Sequence, residues 1–132
     1  MRIMLDTNVL ISMAMFPSKR FGELLDYITR HHTLILSSFV VEELETVAER
    51  KFPAKKDAVD RFLAKLSFEL VYTPHKMKGD LFVIRDMNDY PVLYTAIIED
   101  VDILITGDKD FQAVEIEKPE ILTPTEFLDR FL

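Results

Sequence analysis

Arg2-Ile3-Met4-Leu5-Asp6-Thr7-Asn8 opens the chain, and the order of an apolar run, a carboxylate and helix-capping residues decides how the rest is read. Ile3-Met4-Leu5 is apolar without alternation, the pattern of a short strand buried on both faces of a parallel sheet. Asp6 closes the run where, in an open α/β sheet, strand ends face the ligand crevice. The arrangement recurs along the chain. Leu34-Ile35-Leu36 is followed by a helix-like stretch holding Glu43, and Ile103-Leu104-Ile105-Thr106-Gly107 leads into Asp108 and Asp110. Asp89 opens a stretch in which Val92, Leu93, Ala96 and Ile97 share its helical face.

Working outward, strands are expected at 2–5, 33–37, 68–72, 102–106 and 121–122, with helices between them at 8–15, from Ser18 onward, 39–51, 54–66 and 89–99, and a short turn at 110–114. Residues 77–85 fit neither period. Thr123-Pro124-Thr125-Glu126 matches a capping box with Pro at the first helical position and starts a last helix. Strands alternating with helices give an α/β fold with a small, mainly parallel sheet and helices on both faces. At 132 residues the chain fits a single domain spanning 1–132.

Composition narrows the function classes. Nearly half of the residues are apolar (48%), enough for a core without staples. The chain has no cysteine, which removes disulfides and thiolate metal sites. No apolar run reaches the length of a membrane span and the first residues meet a carboxylate too early for a signal peptide, so a cytoplasmic protein without membrane contact is expected. The net charge of −7 argues against binding through a broad basic surface. It leaves nucleic acid open, because bound cations invert the potential of an acidic site.

Each carboxylate also has a structural reading. Asp6, Asp89, Asp108 and Asp110 can all cap helices, with Asp86 competing against Asp89, and Glu43 can sit on a solvated flank. On a helix of ~100° per residue, however, Glu43 borders the core stripe while Glu42 points to solvent. Separate segments each bring a carboxylate to the same sheet edge, where they repel one another unless a cation joins them. Hard oxygen ligands of this kind suit Mg²⁺ or Mn²⁺. Between the two aspartates after the fourth strand, Asp110 is the weaker candidate, since only one can directly follow the strand. His31, His32 and His75 form no acid–base pair in sequence, and His31-His32 reads as a solvated helix end. Lys19, Arg20, Arg50, Lys51, Lys55, Lys56, Arg85 and Lys109 are candidates for gripping an anionic substrate, or are ordinary surface.

The order Asp6-Thr7-Asn8-Val9-Leu10, Ser38 with Glu43-Leu44, Asp89 with Ala96, Thr106-Gly107-Asp108-Lys109-Asp110-Phe111 and the ending Ile121–Leu128 resembles the PIN-domain family, most closely its members in bacterial and archaeal toxin–antitoxin systems. Relatives often carry Pro in the position of Met87. The resemblance covers essentially the whole chain. It implies a three-layer α/β/α sandwich and a Mg²⁺- or Mn²⁺-dependent nuclease acting on RNA. It also implies a homodimer and an antitoxin partner that occupies the active-site groove. Asp6, Glu43, Asp89 and Asp108 take its catalytic and metal-binding positions, with Asp110 assisting. Thr7 or Asn8 would by the same resemblance orient Asp6; from the sequence itself Thr106 is a further orienting candidate, and Lys51, Arg85 and Lys109 are the first candidates among the basic residues to hold substrate. A phosphatase with Asp6 as nucleophile fits poorly, because Asn8 stands where a second Asp is wanted. DNA cleavage, RNA maturation and a non-catalytic binding module stay open.

Overall fold

The computed structural model describes residues 1–132. Five strands, β1 (Arg2–Leu5), β2 (Thr33–Ser37), β3 (Glu69–Val71), β4 (Ile103–Ile105) and β5 (Glu120–Leu122), form one parallel sheet in the order β3-β2-β1-β4-β5. The apolar runs became the central strands for the expected reason. Ile3, Met4, Leu5, Ile35, Leu36, Leu104 and Ile105 are wholly buried, as they must be where helices cover both faces of a sheet.

Helices α1 (Thr7–Met15) and α2 (Lys19–His31) join β1 to β2, and α3 (Ser38–Lys51) and α4 (Lys56–Lys65) join β2 to β3. Next come α5 (Tyr90–Ile98) before β4, α6 (Lys109–Gln112) before β5, and α7 (Pro124–Phe131) at the end. Their starts follow local chemistry. Ser18 Oγ accepts from Phe21 N, Ser37 Oγ accepts from Val40 N, and Thr123 and Glu126 complete the expected capping box. On one side α1 packs against α3 and α4. Elsewhere α2 meets α7 through Tyr27, Phe127 and Phe131. No helix is long and apolar enough to cross a membrane.

Three elements depart from the sequence reading. The helix expected over 54–66 begins as a 3₁₀ turn, Pro53–Lys55, and the one expected from Asp89 is preceded by another, Met87–Asp89. Pro53 opens the first of these turns and Pro91 lies in the first turn of α5, positions where the missing N–H of proline is tolerated. Nor is His32 solvated. It caps the end of α2, lies partly buried against Tyr27, Phe127 and Phe131, and its pKa is lowered by that burial and by the charges of the N-terminal amine and His31.

The strand order places the site. The chain starts at the sheet centre, builds outward through β2 and β3, then returns to the other side of β1 for β4 and β5. The reversal falls between β1 and β4, and the crevice outside the carboxyl ends of those two strands is where an open sheet of this kind binds ligands. Leu5 pairs with Ile105 at that edge, and Asp6 N donates to Ile105 O (3.0 Å), so Asp6 and Thr106 emerge side by side.

Candidate metal centre

Asp6 is almost completely buried, at 4% exposure. It caps α1 through Thr7 N (2.7 Å), while its second oxygen accepts from the Thr106 hydroxyl (2.8 Å). Capping and functional roles therefore coincide. Burial raises its pKa; the hydrogen bonds from Thr106 and Thr7 pull it down, and the charges of Asp108 and Glu43 push it up. The charges of Asp108 and Glu43 lie close enough to Asp6 to disfavour its ionisation.

Thr106 is the link between the two central strands. Fully buried, it donates to Asp6 and its Oγ1 accepts from Asp108 N (3.0 Å). One hydroxyl thereby fixes both the carboxylate after β1 and the backbone that carries the carboxylate after β4. Thr7 does the equivalent for α3. Its backbone N–H holds Asp6, but its hydroxyl donates to Glu43 Oε1 (2.7 Å) rather than to Asp6. Asn8 is exposed, and its carbonyl accepts from Ser12 Oγ.

Carboxylate oxygens of Asp89, Asp108 and Asp110 all lie within 4.8 Å of one another. Asp86 rather than Asp89 provides the cap of the 3₁₀ turn, accepting from Asn88 N (2.9 Å), which leaves the Asp89 side chain for the centre. Asp110 joins because Asp108 Oδ1 accepts from Asp110 N (2.9 Å). That contact is an Asx turn, which folds the second residue on back toward the first. Only Asp108 directly follows the strand, and this turn brings Asp110 to the same place. Gly107 has open space where a side chain would stand and needs no special backbone angle.

The donor set fits a hard divalent cation on an observation of its own: Asp89 Oδ2 is buried without a hydrogen-bond partner. Such a carboxylate oxygen, close to other carboxylates, is costly unless a cation or a proton shared with Asp108 completes it. The pKa of Asp89 rises accordingly from 3.8 to about 7, first through burial and then through the charges of Asp108, Asp86 and Asp6. Arg85, largely exposed, reaches Asp110 at 3.8 Å, and Lys109 is exposed between Asp108 and Asp110. Lys51 is exposed at the far end of α3, eight residues and about 12 Å of helix from Glu43. Lys55, Lys56 and Arg20 are occupied within the chain, by Met15 O, Asp60 and Thr125 respectively.

An α/β sheet with acidic side chains gathered at its switch point defines a class of metal-site folds. The chain belongs to the PIN domain family, whose model matches residues 2–110. Its fold is similar to that in the structure of VapBC2 from Rickettsia felis bound to a DNA fragment from their promoter (TM-score 0.71, 23% identity, 92% of this chain and 97% of that one). It is also similar to VapBC-1 from nontypeable Haemophilus influenzae (0.64, 19%, 95% and 99%). A third likeness is to Mycobacterium tuberculosis VapC20, described as a sarcin–ricin loop cleaving toxin (0.58, 13%, 84% and 93%). No curated protein matches the chain in sequence.

Proposed function

We propose that this chain is a Mg²⁺- or Mn²⁺-dependent endoribonuclease that hydrolyses RNA phosphodiester bonds in the cytoplasm as the toxin of a toxin–antitoxin pair. One observation carries the reading: three carboxylates converge at the sheet's switch point with a buried, partnerless oxygen on Asp89. Membership of the PIN family supports nuclease chemistry, and the likeness in fold to a toxin that cleaves the sarcin–ricin loop supports RNA as substrate. The likeness to the VapBC structures supports an antitoxin partner, and the family resemblance a homodimer built from single domains.

Asp89, Asp108 and Asp110 would hold the ion, with Asp6 beside them. When bound, such an ion neutralises phosphate oxygens and lowers the pKa of water. The chain's own groups supply order. Thr106 keeps Asp6 and Asp108 in register, and Thr7 fixes one Glu43 oxygen, leaving the other to orient an attacking water and take its proton. That water's oxygen would bond to phosphorus as the bond to the 3′-oxygen breaks; the 3′-oxygen takes a proton from solvent and Glu43 releases its own to solvent, leaving a 5′-phosphate and a 3′-hydroxyl. Arg85 and Lys109, at the rim, meet the phosphates on either side, and the exposed Lys51 contacts substrate farther out along α3.

The test is cleavage of a labelled single-stranded RNA panel by pure protein with Mg²⁺, with Mn²⁺ and with EDTA, beside Asp6→Asn and Asp89→Asn. Cleavage that requires metal and vanishes in both variants is expected. Equal cleavage by wild type and variants, or a wild type that binds no Mn²⁺ in calorimetry, would overturn the assignment.

A further inference from the structure

We propose that the pocket between the first turns of α3, the chain after β3 and the start of α5, built on the helices that carry Glu43 and follow Asp89, is a nucleobase subsite selecting guanine in the bound single strand. The inference rests on the nuclease reading and names what that site would recognise. The pocket measures about 240 Å³, and its lining includes Ser38, Phe39, Glu42, Thr73, Met77 and Pro91. That is below the ~300–1,000 Å³ of sites for drug-sized ligands but has room for one flat ring system.

Its position follows from shared elements. Glu42 and Glu43 are consecutive on α3, so their side chains diverge by ~100°; Glu43 turns to Thr7 and the centre, and Glu42 turns to the pocket rim. Pro91 lies two residues beyond Asp89. The pocket is thus built on the two helix starts that also carry Glu43 and Asp89, and under this proposal a strand whose phosphate is at the carboxylates lays a neighbouring base there. The walls are pinned in advance: Ser38 Oγ accepts from Thr73 N (3.0 Å), and the Thr73 hydroxyl meets that of Thr95 at 2.9 Å.

The chemistry of the lining suits a base. Phe39, Met77 and Pro91 offer apolar faces to an unstacked ring, the usual way single strands are held. Glu42 is exposed and makes no ion pair, so its carboxylate is a free pair of acceptors. Guanine alone presents two adjacent N–H donors on its pairing edge, matching both oxygens. Uracil presents one donor flanked by carbonyls that a carboxylate repels.

The experiment uses the ¹⁵N-labelled full chain in EDTA and four methylphosphonate hexanucleotides, each carrying one base. These probes have no backbone charge to be repelled and cannot be cleaved. The guanine hexamer should shift the amides of Phe39, Thr73 and His75 and bind about tenfold or more tighter than the uracil hexamer, as a bidentate contact implies. Glu42→Gln should abolish that preference, and Phe39→Ala should weaken every base. Shifts confined to other surfaces, no binding by any hexamer, or an unchanged preference in Glu42→Gln would each overturn the proposal. Cleavage mapping separates it from the reading beneath it. If RNA is cut at the same bases by wild type and Glu42→Gln, the subsite falls and the nuclease stands. If the hexamer pattern appears and no RNA is cut, the subsite stands and the nuclease falls.

Discussion

Replacing Asp89 by Asn should stabilise the metal-free protein and weaken the metal-loaded one. The Asp89 carboxyl sits against Asp108, Asp86 and Asp6, and its pKa rises from 3.8 to about 7. At 1.36 kcal/mol per unit that is roughly 4 kcal/mol of unfavourable ionisation as an upper bound. Asp89 is only partly buried, so solvent screening reduces this to about 1–2 kcal/mol. The sign follows from proton linkage. Between pH 4 and about pH 7 the folded chain keeps a proton that the unfolded chain has released, so stability falls as pH rises through that window and is lowest above it. An asparagine does not ionise, and its amide can donate to Asp108. In EDTA at pH 8, Asp89→Asn should melt about 3–8 °C higher than wild type, with the gain shrinking as pH falls through the window and lost below about pH 4. With Mn²⁺ at a hundred times its dissociation constant the wild type should gain about 2.7 kcal/mol and the variant far less, reversing the order. Thermal unfolding followed by circular dichroism reads all of these conditions. A variant no more stable than wild type at pH 8 in EDTA, together with a wild type indifferent to Mn²⁺, would refute the reasoning.

Thr106→Val keeps the shape of the side chain but removes the hydroxyl that donates to Asp6 and accepts from Asp108 N. It should cost about 1–3 kcal/mol in urea unfolding and about 10–100-fold in Mn²⁺ affinity by calorimetry; unchanged affinity would show that the link does not position the ligands. Thr123→Ala removes the cap of α7 and one half of its capping box, and should lower stability by about 1 kcal/mol without altering Mn²⁺ affinity, since α7 carries none of the centre's carboxylates.

The strands were readable because burial on both faces imposes an apolar run that needs no context. β2 spans the expected residues, and β1 likewise. Helix starts were readable where a single side chain makes the cap, as at Ser18 and Thr123. Residues 77–85 were not. Their backbone is held from a distance, with Tyr94 Oη accepting from Lys78 N, Tyr90 Oη bonded to the Lys78 carbonyl, and Phe82 stacked on the Tyr90 ring at 4.3 Å. No periodicity records such contacts, because they come from another element.

The candidate site divides in the same way. Sequence by itself determined that carboxylates follow the buried strands and open the helices, and hence that Asp6, Asp89 and Asp108 face one edge of a parallel sheet. Periodicity and capping are local, and each is written in neighbouring residues. Only the tertiary structure decided that β1 and β4 are adjacent, with the chain's reversal between them. It alone decided that one threonine joins Asp6 to Asp108, that Thr7 turns to Glu43, and that Asp110 closes the group with Asp89. Those contacts span from 2 to 100 residues of chain, and a carboxylate acquires its partners, its burial and its shifted pKa only when packing brings them together.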